Sequence, residues 1–217
     1  MRFALLPTKP LALAKTRLAP HLTDVDRRSV ALAMFHDVLE CLIEAPSVDV
    51  VAVVTCDPML IGLADSRGTF VVDERAPQGL NGAAALGTRA CLGRGATSVL
   101  IVLSDLPRIS VDEVEALYAE LPAGPHVRLV RSHEGLGTNA LFRRPPEVVP
   151  TRFGGRSFQG HLDAASAAGT SVDVLDLPGI GFDVDTVADL QALTHTFRPS
   201  RTLAAAQRIC LTPAGPI

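Results

Sequence analysis

The chain has 217 residues, enough to bury a full core and short for two large domains, so one compact α/β domain is the natural reading. Its 20 Lys+Arg stand against 23 Asp+Glu, a formal net charge of -3, which gives no bulk electrostatic reason to bind nucleic acid or an acidic membrane. The 4 cysteines (Cys41, Cys56, Cys91, Cys210) are scattered, with no C-x-x-C pair or His at metal-ligand spacing, which excludes an obvious zinc site or disulfide framework and fits a reducing cytoplasm.

In chain order, residues 2–6 form a short apolar run, read as a first strand. The run is broken by Pro7 and is too short for a signal-peptide core or a membrane span. Residues 24–45 carry apolar side chains at helical spacing behind a Thr23 or Asp24 cap. Residues 48–56 (VDVVAVVTC) are a β-branched run of the kind buried on both faces of a parallel sheet. A strand follows at 69–72, a helix of small residues at 81–92, and the most hydrophobic strand at 98–107 (SVLIVLSDLP). Then come a helix at 111–120, strands near 126–130 and 139–142, a helix at 157–168, a strand at 171–175 and a last helix from 187. This alternation predicts a doubly wound, mostly parallel mixed sheet with helices on both faces. Residues 1–196 read as one domain, and 197–217 as a tail without a motif and without expected order.

In open α/β sheets ligands bind beyond the carboxyl ends of the strands, so polar residues there are the first candidates. The segment PTKPLALAKTRLAP places Lys9, Lys15 and Arg17 just after the first strand, where three cations could clamp a triphosphate; it could equally be a solvated basic loop. No G-x-x-x-x-G-K or G-x-G-x-x-G occurs in it. Asp105 closes the central strand, a position suited to Mg²⁺, although an aspartate there could also cap the next helix, as Ser110 could. Asp183 and Asp185 are two apart; on an extended segment both would face one side, while Thr186 could cap the following helix with Asp189 in its first turn. Together Asp105, Asp183 and Asp185 suggest a site for one or two Mg²⁺ bridging two phosphorylated substrates. Gly79 and Asn81 open the small-residue helix, whose free N–H groups could receive a phosphate or ribose of a nucleotide.

In order, the stretches PTKPLALAKTRLAP, VVTCDP, DERAPQGLNGAAALG, VLSDLP, GLGTNALFRRPP, FGGRSFQGH and FDVDTVADL resemble the CofC family, the guanylyltransferases of coenzyme F-420 biosynthesis. The resemblance covers nearly the whole chain up to about residue 195. It implies a Rossmann-like nucleotidyltransferase fold of the glycosyltransferase-A type. It also implies transfer of GMP from GTP to a small phosphorylated carboxylic acid (phosphoenolpyruvate, 2-phospholactate or 3-phosphoglycerate) with release of pyrophosphate. It implies Mg²⁺ and acceptor phosphate on Asp105, Asp183 and Asp185, and the acceptor acid on Thr138, Gly154 and Ser157. On that reading GLGTNAL presents backbone N–H groups and the Thr138 hydroxyl to the acid, and FGGRS forms a second cradle. Without it, both segments read as ordinary glycine turns. Arg143 and Arg144, beside the first loop, could select the acid or simply stand solvated.

The chemistry expected is in-line attack by an acceptor phosphate oxygen on the GTP α-phosphorus. Lys9, Lys15 and Arg17 would stabilise the departing pyrophosphate. Two alternatives are a nucleotidyltransferase for a sugar phosphate or molybdopterin, whose usual glycine-rich opening loop is lacking, and a nucleotide-binding regulatory module without catalysis. Neither nucleic acid nor membrane is expected as a partner, and the sequence does not fix an oligomeric state.

Overall fold

A computed structural model describes residues 1–195 and 199–211. Seven strands make one sheet: β1 (Arg2–Pro7), β2 (Val50–Thr55), β3 (Phe70–Asp73), β4 (Ser98–Val102), β5 (His126–Arg131), β6 (Thr138–Arg144) and β7 (Ser171–Leu175). Among the described residues eight α-helices accompany them: α1 (Asp24–Glu44), α2 (Pro58–Ser66), α3 (Gly79–Gly93), α4 (Val111–Tyr118), α5 (Ser157–Ala167), α6 (Pro178–Gly181), α7 (Val187–Leu193) and α8 (Arg201–Leu211). The spatial order is β3-β2-β1-β4-β6-β5-β7, and β6 alone runs antiparallel to its neighbours. The expected α/β class and mostly parallel mixed sheet are therefore both present.

Side chains alternate across the central strands, as the two-residue period of a strand requires. On β1, Ala4 and Leu6 join α1, α2 and α4 on one face, while Phe3 and Leu5 join α3 and α5 on the other. The small-residue composition of α3 has a packing cause. A Cβ at Gly87 would lie 2.5 Å from Leu5 Cδ1 and 2.6 Å from Val54 Cγ2, so only glycine lets the helix approach the sheet that closely. Helix starts follow their caps: Thr23 accepts from Asp26 N–H at α1, and Ser110 with Glu113 and Thr186 with Asp189 form capping boxes at α4 and α7.

Two expectations change. The chain between β2 and β3, unassigned in the sequence reading, is helix α2, started by Asp57 accepting from Met59 N–H (2.9 Å) and by Pro58 in the first turn. The segment 197–217, expected to lack order, contains α8: Asp37 on α1 accepts from Arg201 N–H (3.0 Å), Thr202 N–H (2.9 Å) and the Thr202 hydroxyl (2.6 Å). Ala205 and Ala206 close a third apolar cluster with Val30 and Met34 of α1 and Leu190 and Leu193 of α7. Residues 197, 198 and 212–217 of that expected tail lie outside the described residues. Among the described residues no helix is long and apolar enough to cross a membrane.

The strand order reverses direction between β1 and β4. From β1 the chain builds outward through β2 to β3, then returns to the other side of β1 as β4. Such a switch point leaves a crevice at the carboxyl edge, and the loops after β1 and β4 flank it.

Candidate active site

The segment between β1 and α1 folds back over that crevice and is pinned along its length. Leu11 N–H donates to Asp57 Oδ2 (2.8 Å), Arg27 of α1 donates to the Ala14 carbonyl (3.0 Å), and Leu18 is fully buried. Between two 3₁₀ turns, Leu11–Leu13 and Thr16–Leu18, Lys15 takes a left-handed backbone with φ of 52°. For a non-glycine residue that conformation costs about 1 kcal/mol or more, so the anchors on both sides must hold it.

The Lys15 ammonium lies 2.7 Å from Asp105 Oδ2 and 3.3 Å from Asp185 Oδ1, and Arg17 lies 2.7 Å from Asp185 Oδ2. Burial pulls the Lys15 pKa down, but Asp105 and then Asp185 outweigh it, so the pKa is raised and the group stays an ammonium at physiological pH. The exposed Arg17 pair contributes little stability of its own, and Arg17 is free to exchange Asp185 for an incoming anion. Asp105 Oδ1 is buried without a hydrogen-bond partner among the described residues. Beside these groups is a cavity of about 290 Å³ that Lys9, Lys15, Arg17, Asp105 and Asp185 all line. Of the three cations Lys15 is held at the site by its ion pairs, whereas Lys9 and Arg17 are exposed at the rim of the cavity.

Only two of the three expected carboxylates share a partner. The segment after α6 is not part of the sheet, and Asp183 and Asp185 meet different partners. Asp183 Oδ1 accepts from Asn139 Nδ2 (3.0 Å) and meets His133 Nδ1 (3.2 Å), while Val184 N–H, between them, donates to the Asp105 carbonyl (3.2 Å). Among the described residues, no three His, Cys, Asp or Glu side chains converge as a ready ligand set. Asp105 and Asp185 nevertheless fit Mg²⁺, which prefers hard oxygens and usually takes one or two carboxylates with phosphate and water completing its shell. The unpartnered Asp105 oxygen is available for it.

The remaining candidates divide. Gly79 lines a second cavity of about 220 Å³ and has φ of 75°, a backbone suited to glycine. Asn81 instead clasps the loop before α5, donating to Phe153 O (2.8 Å) and accepting from Phe153 N–H (2.9 Å). Both of its amide ends are used, so it ties α3 to the FGGRS loop, where Gly154 adopts φ of 150°. Thr138 N–H donates to Ser157 Oγ (2.8 Å), and Thr138 Oγ1 lies 3.0 Å from His161 Nδ1. His161 Nε2 accepts from Arg152 N–H (2.8 Å), so Nδ1 carries the hydrogen and Thr138 Oγ1 accepts it, leaving the threonine hydroxyl proton available to donate. Thr138, Gly154 and Ser157 are therefore brought together around His161 and the FGGRS loop.

Arg143 and Arg144 do not stand solvated at the cavity. Arg143 is buried and donates to Val149 O (2.9 Å) and Thr88 Oγ1 (2.7 Å), and burial lowers its pKa to about 10. Arg144 donates to the carbonyls of Pro122 and Gly124. Nothing in the adjacent RR pair distinguishes the buried Arg143 from the half-buried Arg144. Asn139, His161 and Glu74 lie inside the motifs GLGTNAL, FGGRSFQGH and DERAPQGLNGAAALG, which carry no separate sign of what these three side chains do.

A protein-family model described as "Guanylyl transferase CofC like" matches residues 2–198. A phosphoenolpyruvate guanylyltransferase of Sphaerobacter thermophilus is 39% identical over 190 residues, covering 88% of this chain and 91% of that protein. A 3-phospho-D-glycerate guanylyltransferase of Colwellia psychrerythraea is 31% identical over 194 residues, covering 89% and 91%. Among solved structures, a nucleotidyl transferase from Methanothermobacter thermautotroptrophicus superposes with a TM-score of 0.68 at 14% identity, over 89% of this chain and 95% of that one, which speaks to the fold alone.

Proposed function

Because this chain belongs to the CofC-like guanylyl transferase family, we propose that it transfers GMP from GTP to phosphoenolpyruvate, releasing pyrophosphate, as a step of coenzyme F-420 biosynthesis. Phosphoenolpyruvate is favoured over 3-phospho-D-glycerate because the relative at 39% identity carries the former name and the one at 31% the latter. The observation that carries the reading is the pairing of Lys15 with both Asp105 and Asp185 at the switch point, beside a cavity that Lys9 and Arg17 also face.

An oxygen of the acceptor phosphate attacks the α-phosphorus; that bond forms as the bond to the β-phosphate bridging oxygen breaks, and pyrophosphate leaves in line. A phosphate dianion is nucleophilic at neutral pH, so no side chain has to remove a proton. Lys9, Lys15 and Arg17 neutralise the triphosphate and the departing pyrophosphate. Mg²⁺ held by Asp105 and Asp185 would supply further positive charge between the two anions. Asn139 holds Asp183, and with it the segment that carries Asp185, against β6. Thr138 and the Gly154 loop, braced by Ser157, His161 and Asn81, hold the acceptor acid. The reaction fits a cytoplasmic enzyme, where both substrates are made.

The test is pyrophosphate release and product mass on incubation with GTP and each of the three acids, with Mg²⁺ and again with excess chelator. Release with phosphoenolpyruvate, lost on chelation, is expected. Release with 3-phosphoglycerate alone would overturn the acceptor assignment, and release with none would overturn guanylyl transfer.

A further inference from the structure

Beside the cation-lined cavity lies the second one, of about 220 Å³; Lys9, Leu13 and Leu80 line both, so the two adjoin. The lining differs sharply. Lys15, Arg17, Asp105 and Asp185 face only the first, whereas Glu74, Pro77, Gly79 and Ala83 face only the second. Glu74 is 5% exposed and forms no ion pair among the described residues. Its Oε1 accepts from Gln78 N–H (2.7 Å), and its Oε2 has no partner among the described residues. A buried carboxylate without an ion pair is costly, and Glu74 lines a slot whose other walls are apolar except for Thr8 and Lys9.

We infer that this second cavity is a guanine pocket in which Glu74 reads the edge of the base. The inference rests on the GTP-dependent transfer proposed above and assigns the residue that selects the base. A triphosphate held by Lys9, Lys15 and Arg17 leaves its nucleoside end to the adjoining cavity. Guanine presents two donors side by side, N1–H and the 2-amino group, and a carboxylate offers the matching pair of acceptors. Adenine presents a ring-nitrogen lone pair there and has no 2-amino group, so it would meet Glu74 acceptor to acceptor. Pro77, Leu80 and Ala83 supply apolar surface for the ring faces. The Gln78 bond fixes the Glu74 rotamer without consuming the carboxylate, which has about four acceptor sites.

Two measurements test this. In the wild-type protein, GTP should be used with a kcat/KM at least about 10-fold above that for ITP, which lacks the 2-amino group, as expected for one lost hydrogen bond to a charged acceptor. In Glu74→Gln, whose amide oxygen still accepts from Gln78 N–H, GTP should lose about 10- to 100-fold and the GTP/ITP ratio should collapse toward one. XTP should improve, because its 2-oxo group accepts from the glutamine amide while its N1–H still finds an acceptor. Binding of the same three nucleotides, read by thermal shift without acceptor acid, separates this inference from the transfer reaction. Selective binding of GTP that Glu74→Gln abolishes, with no transfer to any acid, would keep the pocket and sink the transfer. Equal wild-type binding of GTP and ITP, or an unchanged ratio in a folded Glu74→Gln, would overturn the pocket.

Discussion

Asp105 is the residue on which the site closes. It follows the most apolar strand of the sheet, so its position was legible in the sequence, and its three oxygens are each used differently. Oδ2 takes the Lys15 ammonium, the carbonyl takes Val184 N–H from the segment that carries Asp185, and Oδ1 is buried without a partner among the described residues. Asp105→Ala removes the first and third of these and keeps the second, because the carbonyl belongs to the backbone. Turnover should therefore fall about 1000-fold or more, the scale on which a group stabilising transition-state charge is lost, while the circular dichroism spectrum stays that of the wild type. Near-normal pyrophosphate release by the variant would remove Asp105 from the chemistry. The Asp183/Asp185 pair was legible only as composition. Its spacing could not reveal that Asn139 and His133 claim Asp183 while Lys15 and Arg17 claim Asp185.

At the scale of elements, most of the sheet was legible because β-branched runs and capping residues carry local information. What escaped is what depends on tertiary partners. Helix α2 was signalled by Asp57-Pro58, an N-cap followed by a proline suited to the first helical position, yet its nine residues lack a clear apolar stripe. The loop between β6 and α5 was readable as a glycine turn, but its bracing by Asn81 from α3 and by His161 from α5 was not. That bracing carries a pH signature. Burial first, and the nearby Arg143 charge second, lower the His161 pKa from 6.5 to about 4. Between those two values the unfolded chain binds a proton that the folded chain does not, so stability is complete above pH 6.5 and is lost as the pH falls through the window. At its lower end the loss from this one group is roughly 3 kcal/mol. In urea titrations from pH 7 to pH 4.5, His161→Gln should show a shallower decline than the wild type; parallel declines would mean that the imidazole is already protonated in the fold.

At the scale of the whole molecule, the site exists because the chain reverses its direction of growth at β1. The order β3-β2-β1-β4 sets the loop after β1, with Lys15, beside the loop after β4, with Asp105, although the two are 90 residues apart in sequence. Alternating strands and helices predict a doubly wound sheet of this kind, which is why the location of the site could be anticipated without knowing which side chains would touch. The far side of α1 could not be anticipated. Val30 and Met34 pack there with α7 and α8, Met34 also lining the first cavity, and the alanine-rich α8 carries too weak a pattern to be read as their partner. Because α8 touches α1 and α7 and contributes no residue to either cavity at the switch point, stability and chemistry should separate on its removal. Ending the chain at residue 198 exposes Val30, Met34, Leu190 and Leu193 and leaves Asp37 without the three groups it accepts from. A loss of about 3 kcal/mol follows from that apolar exposure, which for a chain of this size lowers the melting temperature by roughly 6 to 12 °C. Guanylyl transfer measured well below the melting transition should persist within about threefold of the full-length rate, because the Lys15, Asp105 and Asp185 cluster is built entirely from earlier elements. Loss of transfer in a truncated protein that still melts cooperatively would show that α8 shapes the crevice through α1, and the separation argued here would fail.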